Sequence, residues 1–369
     1  MLDLRAEVAE LRAELDAAVA RVLDSGQFIG GPEVEAFEDE VAAFLGVRHA
    51  IGLNSGTDAL IIGLEALGIG PGDEVITTPF SFFATSEAIL RVGAKPVFGD
   101  IDPVTLNLDP TTIEALVTKQ TKAVLPVHLF GLPCDMPALL DIAKRHDLYV
   151  LEDCAQAFGA RIGAMGGRRA GAVSDLGAFS FYPTKNLGAY GDAGLIATDD
   201  DALAERVRSL RNHASSKEDK YLHDGLGHNS RLDAIQAAIL RVKLPRVDAW
   251  NVARREVARG YVNELERFTG AGLVLPPASP EHVFHQFTLQ LPEARRQSFQ
   301  EALGAAGISC ARFYPSPLTH QPRGRRYGRS QVAAAACERA VSVPCFPRLP
   351  EAAILGVAEA AARALGRTV

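Results

Sequence analysis

One lysine, Lys185, closes the segment Gly177-Ala-Phe-Ser-Phe-Tyr-Pro-Thr-Lys185, and glycines follow at 188, 191 and 194. The apolar run reads as a buried strand, and the Pro-Thr-Lys-Asn sequence as a polar turn at its end. An ammonium held on such a turn is partly stripped of water, which lowers its pKa and frees a lone pair to attack a carbonyl. Upstream, a second apolar run, Leu148-Tyr-Val-Leu-Glu-Asp153, ends in a carboxylate. A Schiff-base lysine, with a strand-end aspartate to pair with a pyridinium nitrogen, is the protein's share of pyridoxal phosphate (PLP) chemistry.

Other segments suit the same cofactor. Leu53-Asn54-Ser55-Gly56-Thr57-Asp58 reads as strand, small-residue turn and helix start. The free amides of that helix start, with a hydroxyl of Ser55 or Thr57, suit a phosphate dianion. An ordinary capped helix carries the same pattern, so the segment alone leaves both readings open. Ser180, on the strand leading to Lys185, offers another hydroxyl. Phe82 and Phe83 follow a strand end; one offers an apolar face to a flat heterocycle and the other reads as core. Asp153 would keep the ring nitrogen protonated through a charge-assisted hydrogen bond. Gln156 stands one turn on, within reach of the ring's phenolic oxygen. Neither G-x-x-x-x-G-K-[ST] nor a strand–helix G-x-G-x-x-G occurs, which removes the main support for the corresponding nucleotide folds.

The elements that must position these groups are legible as periodicities. Leu4, Val8, Leu11, Leu15, Val19, Val22 and Leu23 recur at helical spacing, and a second helix is predicted from Glu33 to Leu45. Apolar runs at 49–53, 74–78, 95–98, 123–127, 149–151, 176–181 and 194–197 then alternate with helices near Thr57, over 81–92 and over 136–146. That order predicts a three-layer α/β sandwich with a mainly parallel seven-stranded sheet. Ligands collect beyond the carboxyl ends of such strands, where Asn54, Asp153 and Lys185 fall. A long helix over 232–244 stops at Pro245, a helical stretch runs to about Phe268, and a Pro-rich segment covers 276–280. We therefore expect a large PLP-binding domain over 1–245 and a smaller C-terminal α/β domain over 246–369.

Composition narrows the class. The 369 residues are 47% hydrophobic, enough for two cored domains. A net charge of −7 without a long Lys/Arg run argues against nucleic acid as a partner, and Arg323-Gly-Arg325-Arg326 reads as a solvated loop. Cys134, Cys154, Cys310, Cys337 and Cys345 are odd in number and scattered, as expected of reduced thiols in a cytoplasmic protein. Residues 1–24 mix charges with apolar residues, so neither a signal peptide nor a membrane span is expected there.

Five blocks carry a family resemblance. Asn54-Ser-Gly-Thr-Asp-Ala-Leu60, Glu152-Asp-Cys-Ala-Gln-Ala157, Ser180-Phe-Tyr-Pro-Thr-Lys-Asn186, Gly227-His-Asn-Ser-Arg-Leu-Asp-Ala-Ile-Gln-Ala-Ala238 and Phe313-Tyr-Pro-Ser-Pro-Leu318 stand in order. Over nearly its whole length the chain resembles the DegT/DnrJ/EryC1/StrS family, PLP-dependent nucleotide-sugar aminotransferases of the aspartate aminotransferase fold (fold type I). The resemblance implies that Lys185 is the Schiff-base lysine, Asp153 the pyridinium partner, Gln156 the residue over the cofactor hydroxyl and Phe82 the stacking aromatic. Gly56, Thr57 and Ser180 match phosphate contacts. Asn229 matches a phosphate ligand supplied by the neighbouring subunit, which implies a homodimer with shared active sites. Lys220, Tyr221, His223, Arg231, Tyr314 and His320 stand in segments that face the substrate in the family.

The implied reaction moves an amino group from L-glutamate to a dTDP- or UDP-linked keto-sugar, with Lys185 as general base and acid. The segment from Lys220 to Arg231 resembles most the members that aminate a 3-keto sugar. Two positions depart from the family pattern: Thr319 stands where many relatives have His, with His320 one place later, and Ala214 stands where relatives commonly have Gly. The competing readings are a sugar dehydratase of the same family, a non-catalytic PLP- or nucleotide-sugar-binding regulator, and a dehydrogenase. Lys185 argues against the dehydratases, which carry His there.

Overall fold

The computed structural model describes residues 3–216, 221–322 and 330–366. Along the chain come α1 (Leu4–Ser25), α2 (Pro32–Leu45), β1 (His49–Leu53), α3 (Gly56–Ala66), β2 (Glu74–Thr77), α4 (Ala84–Arg91), β3 (Lys95–Phe98), β4 (Thr121–Leu125), α5 (Met136–His146), β5 (Tyr149–Asp153), β6 (Leu176–Ser180), β7 (Gly194–Thr198), α6 (Asp201–Leu210), α7 (Ala234–Lys243) and α8 (Val247–Leu265). The strands build one sheet in the order β1-β7-β6-β5-β4-β2-β3. β7 runs against both neighbours, and the other adjacent pairs are parallel. This is the mainly parallel seven-stranded sheet expected from the sequence.

Alternate residues of one strand enter different cores. Ala50, Ile76, Val124 and Val150 face α2, α5 and α7, whereas Ile51, Val75, Leu125 and Leu151 face α3, α4 and α6. Covering both faces makes the strands read as unbroken apolar runs instead of alternating ones. α1 is capped at its start by the Asp3 carboxylate, which accepts the amides of Arg5 and Ala6 at 3.0 Å. Its buried stripe of Leu11, Leu15, Ala18 and Val22 packs on α7.

One local expectation shifts. The run expected over 123–127 forms β4 over Thr121–Leu125, because Pro126 has no amide to extend the ladder. Pairing resumes only as a bridge between Val127 and Asp153. Pro245 follows the end of α7 at Lys243, as expected. It sits in the 3-10 turn Leu244–Arg246, and α8 starts directly afterwards. A first turn has no use for the amide that proline lacks.

β8 (Phe287–Gln290), α9 (Glu293–Ala305), α10 (Gln331–Arg339), β9 (Ala340–Val343) and α11 (Glu351–Leu365) follow. Val257, Tyr261 and Leu265 of α8 join Phe287, Leu289, Phe299, Val341 and Val357 in a separate core. At its other end α8 places Val247 in the core beneath the sheet, so this helix is common to both bodies. Ala333, Ala336 and Cys337 of α10 pack against the other face of the sheet. The antiparallel pair β8–β9 therefore leans on the large body, and the residues just before β8 reach the carboxyl edge of the sheet. Among the described residues no helix is long and apolar enough to cross a membrane.

Candidate active site

Strand ends and helix starts converge on a cavity of about 510 Å³ at the carboxyl edge of the sheet. Gly56 and Thr57 reach it from the start of α3, Phe82 and Thr85 from the start of α4, and Asp153 and Gln156 from the end of β5. Ser180 closes β6, Lys185 lies in the turn beyond it, and Phe313 and Tyr314 complete the wall.

Asp153 is only 5% exposed. Its Oδ2 accepts the Thr85 hydroxyl at 3.0 Å and its Oδ1 accepts the Ala155 amide at 3.1 Å, while Ser81 Oγ lies 2.9 Å from Thr85 Oγ1. Burial raises the Asp153 pKa, and these hydrogen bonds and the charge of Lys185 oppose the shift. A cation beside such a carboxylate favours its ionised form. The neighbouring Glu152 projects to the other face of the sheet. Its carboxylate receives Nε2 of His128 at 2.8 Å, the Gly171 amide at 2.9 Å and the Ser174 hydroxyl at 2.8 Å. Nδ1 of His128 accepts the Cys134 amide at 3.0 Å, so the ring is neutral and carries its hydrogen on Nε2. This buried network pins the strand end from below while Asp153 faces the cavity.

Burial lowers the Lys185 pKa to about 8, with the charge of Asp153 opposing the shift. The turn that presents it is tied by Lys185 N–H to the Tyr182 carbonyl at 2.8 Å and by Ala189 N–H to the Phe181 carbonyl at 2.8 Å. At the start of α3, Ser55 Oγ accepts the Asp58 amide at 3.1 Å, while first-turn amides such as those of Gly56 and Thr57 have no intrahelical acceptor. A Cβ on Gly56 would lie 2.5 Å from Ser180 Cβ. Glycine thus lets the helix start seat against the end of β6, which brings free amides and a serine hydroxyl together. That cradle, the buried carboxylate and the softened amine are the donor set that PLP requires, and the residues fit it.

Gln156 is more committed than the sequence suggested. Its Oε1 accepts the Phe130 amide at 2.6 Å and its Nε2 donates to the Tyr314 hydroxyl at 3.1 Å, which leaves one Nε2 hydrogen for the cavity. The Tyr314 ring stands edge-on to Phe80 at 6.0 Å and tilted to Phe82 at 6.5 Å. Burial raises the Tyr314 pKa, so the phenol stays protonated. Phe82 is 62% exposed and lines the cavity.

Other residues singled out in the sequence lie elsewhere in their own chain. Asn229 is exposed and bridged to Asn212, and Arg231 Nη1 donates to Asn212 Oδ1 at 3.2 Å. His223 Nδ1 lies 2.9 Å from the His213 carbonyl, Tyr221 is 79% exposed, and His320 occupies a 3-10 turn. None of these lines the cavity, and Lys220 lies outside the described residues. Thr319 is buried with its Oγ1 2.9 Å from Ser330 Oγ, so the departure at this position points away from the cavity wall. At Ala214 φ is 51°, in the left-handed region that favours glycine.

Sequence reasoning missed Thr85, Phe313, His285 and Gln286 as cavity residues. The only signal for the last two is a polar pair at the head of an apolar strand.

The model of the DegT/DnrJ/EryC1/StrS aminotransferase family matches residues 9–362. The chain belongs to this family. It is a PLP-dependent aminotransferase of fold type I. Among similar members, the "Pleiotropic regulatory protein" of Geobacillus stearothermophilus is 48% identical over 95% of this chain and 94% of the relative. The UDP-N-acetyl-3-dehydro-alpha-D-glucosamine 3-aminotransferase of Acidithiobacillus ferrooxidans is 47% identical over 99% of this chain and 97% of the relative. The crystal structure of S. venezuelae DesV in complex with a ketimine intermediate superposes with a TM-score of 0.92 at 44% identity, covering 100% of this chain and 98% of that one.

Proposed function

We propose that this aminotransferase moves an amino group from L-glutamate to the C3 carbonyl of a UDP- or dTDP-linked keto-sugar, in amino-sugar biosynthesis. The observation that carries the reading is the meeting of a lysine whose pKa is lowered to about 8, a buried carboxylate and a phosphate cradle in one cavity. The full-length similarity to a 3-aminotransferase supports the choice of carbon.

When bound, PLP carries the amino group between the substrates and absorbs the electron pair left at the donor's α-carbon. The chain's own residues do the rest. Gly56, Thr57 and Ser180 hold the phosphate, and Asp153, fixed by Thr85 and Ala155, holds the proton of the ring nitrogen. Phe82 stacks on the ring and Gln156 turns its free hydrogen to the ring oxygen. Lys185 Nζ takes the α-proton of the donor and returns it, and it does the same in reverse for the sugar. A pKa near 8 leaves a useful fraction of base at neutral pH.

The remaining site residues belong to a homodimer in this reading. Asn229 would reach the partner's phosphate site, and Lys220, Tyr221, His223, Arg231 and His320 would face the sugar nucleotide, with Tyr314 from the same chain. We place the enzyme in the cytoplasm, in keeping with five free cysteines. We also propose a division near residue 245 into a large PLP-binding domain and a small C-terminal domain, with α8 common to both.

The test is a visible spectrum of the holoenzyme before and after L-glutamate, with Lys185→Ala as control. The expected result is a cofactor band that bleaches only with Lys185 present. It should be restored by UDP-N-acetyl-3-dehydroglucosamine or by a dTDP-linked 3-keto-6-deoxy sugar, the two probes. A band indifferent to every amino donor would overturn the reading. It would favour a purely regulatory binding protein, the alternative suggested by the name of the G. stearothermophilus relative.

A further inference from the structure

Part of the cavity wall comes from the C-terminal body, through His285 and Gln286, which immediately precede β8. Their hydrogen-bonding roles can be deduced atom by atom. Asn251 Nδ2 donates to the Phe158 carbonyl at 3.1 Å, so its Oδ1 is the atom turned to Asn186. Asn186 Nδ2 donates to that oxygen at 2.8 Å and to the Val283 carbonyl at 3.1 Å. Backbone carbonyls only accept, so neither amide can be turned over. Asn186 Oδ1 is therefore the atom 3.0 Å from His285 Nδ1, and that nitrogen must carry the hydrogen. What remains on His285 is the bare lone pair of Nε2. Burial and the nearby charges of Lys185 and Arg254 keep the imidazole neutral. Beside it, Gln286 is 8% exposed, and its unpartnered Oε1 is itself buried behind the cavity wall.

We infer that His285 Nε2 receives a donor hydrogen, hydroxyl or amide N–H, from the keto-sugar, and so distinguishes the sugar from the amino-acid donor. The inference rests on the proposed function. Away from its reacting amine, glutamate presents carboxylates, which only accept hydrogen bonds and would be repelled by a further acceptor. A sugar ring presents O–H groups. His285 is held by a relay that begins at two peptide carbonyls, so the polarity of its ring is part of the fold.

The experiment measures the two half-reactions separately in single turnovers of the holoenzyme, first with L-glutamate and then with whichever of the two keto-sugar probes the wild type aminates. The variants are His285→Phe, His285→Leu and the conservative His285→Gln. For His285→Phe and His285→Leu the half-saturating sugar concentration should rise about tenfold or more, while the glutamate half-reaction stays within about twofold. His285→Gln, which can offer an acceptor oxygen, should recover part of the loss. Should His285→Phe not fold, the smaller His285→Leu decides. An unaltered sugar half-reaction or an equal loss with glutamate would overturn the inference. A wild type that aminates neither probe refutes the proposed function and this inference with it. Wild-type turnover with unaffected variants refutes this inference alone.

Discussion

The inner and outer ends of the cavity are held in different ways. At the inner end Asp153, Thr85, Gly56, Ser180 and Lys185 each sit on or next to the end of a strand or the start of a helix. Hydrogen bonds between 2.8 and 3.1 Å fix Asp153, Thr85 and the Lys185 turn. At the outer end Phe82 is 62% exposed, and outside the cavity of their own chain Tyr221, Leu222 and Leu226 of one segment are 79%, 55% and 96% exposed. Asn229 and Arg231 lie outside the cavity of their own chain. The contrast teaches that one chain supplies the lysine, the buried carboxylate and a helix-start cradle from strand ends and helix starts, whereas the residues expected at the substrate lie in surface segments. Apolar side chains exposed together in this way mark an interaction surface, which is what a site completed by a second copy requires.

The sharpest way to break this comparison is subunit mixing. Lys185→Ala should lose roughly 10²–10⁴-fold in the donor half-reaction, as expected when the general base is removed. Asn229→Ala should weaken phosphate binding in the site of the partner. If sites are shared, a mixed dimer of the two variants contains one intact site, and random mixing should restore about a quarter of wild-type activity, since half of the dimers then carry one good site of two. Stopped-flow assays of the mixture would read it. No recovery would mean that Asn229 serves its own chain and that the outer end is complete in a monomer.

Asp153→Asn probes the inner end. Loss of one charge-assisted hydrogen bond is worth about 1.5–3 kcal/mol, so PLP affinity should fall roughly ten- to a hundredfold. Equilibrium dialysis of PLP against the variant would check it. The same variant sharpens a pH prediction. Capture of PLP by the apoenzyme needs the neutral Lys185 amine, whose pKa burial lowers to about 8. Its rate should therefore rise about tenfold per unit below pH 8 and level off above, not near 10. The charge of Asp153 raises the Lys185 pKa, so in Asp153→Asn the plateau should be reached at a lower pH. A plateau that does not move would show that the two groups are uncoupled.

The same division explains what was legible in the sequence. The sheet followed from continuous apolar runs, because strands covered on both faces have no alternation to disturb. Lys185, Asp153 and Gly56 stood out because strand ends and small-residue turns are local features. Thr85 could not be seen as a ligand of Asp153, since the two are brought together only when β5 and α4 meet. His285 and Gln286 were invisible for a similar reason. The role of His285 depends on Asn186, Asn251 and two peptide carbonyls from distant parts of the chain. Pro245 marked the end of α7 correctly, because proline punctuates a helix interior but fits the first turn of the next helix.

The smallest expected effect concerns the strap that leads to the outer end. Ala214, 5% exposed, has φ 51° and follows His213 at φ 62°, while its amide donates to Ser209 O at 2.9 Å. Its carbonyl accepts the Asp224 amide at 3.0 Å, which ties the residue to the segment preceding Asn229. A left-handed conformation costs an L-residue roughly 1–2 kcal/mol. Glycine removes that cost but brings about 0.5–1 kcal/mol of extra chain freedom to the unfolded state. Ala214→Gly should therefore stabilise the protein by between zero and about 1 kcal/mol, with catalysis by the inner end unchanged. Scanning calorimetry of the holoenzyme would detect a rise of about 1–3 °C. A fall would mean that the buried methyl contributes more by packing than it costs in strain, and that the strap is held as firmly as the strand ends.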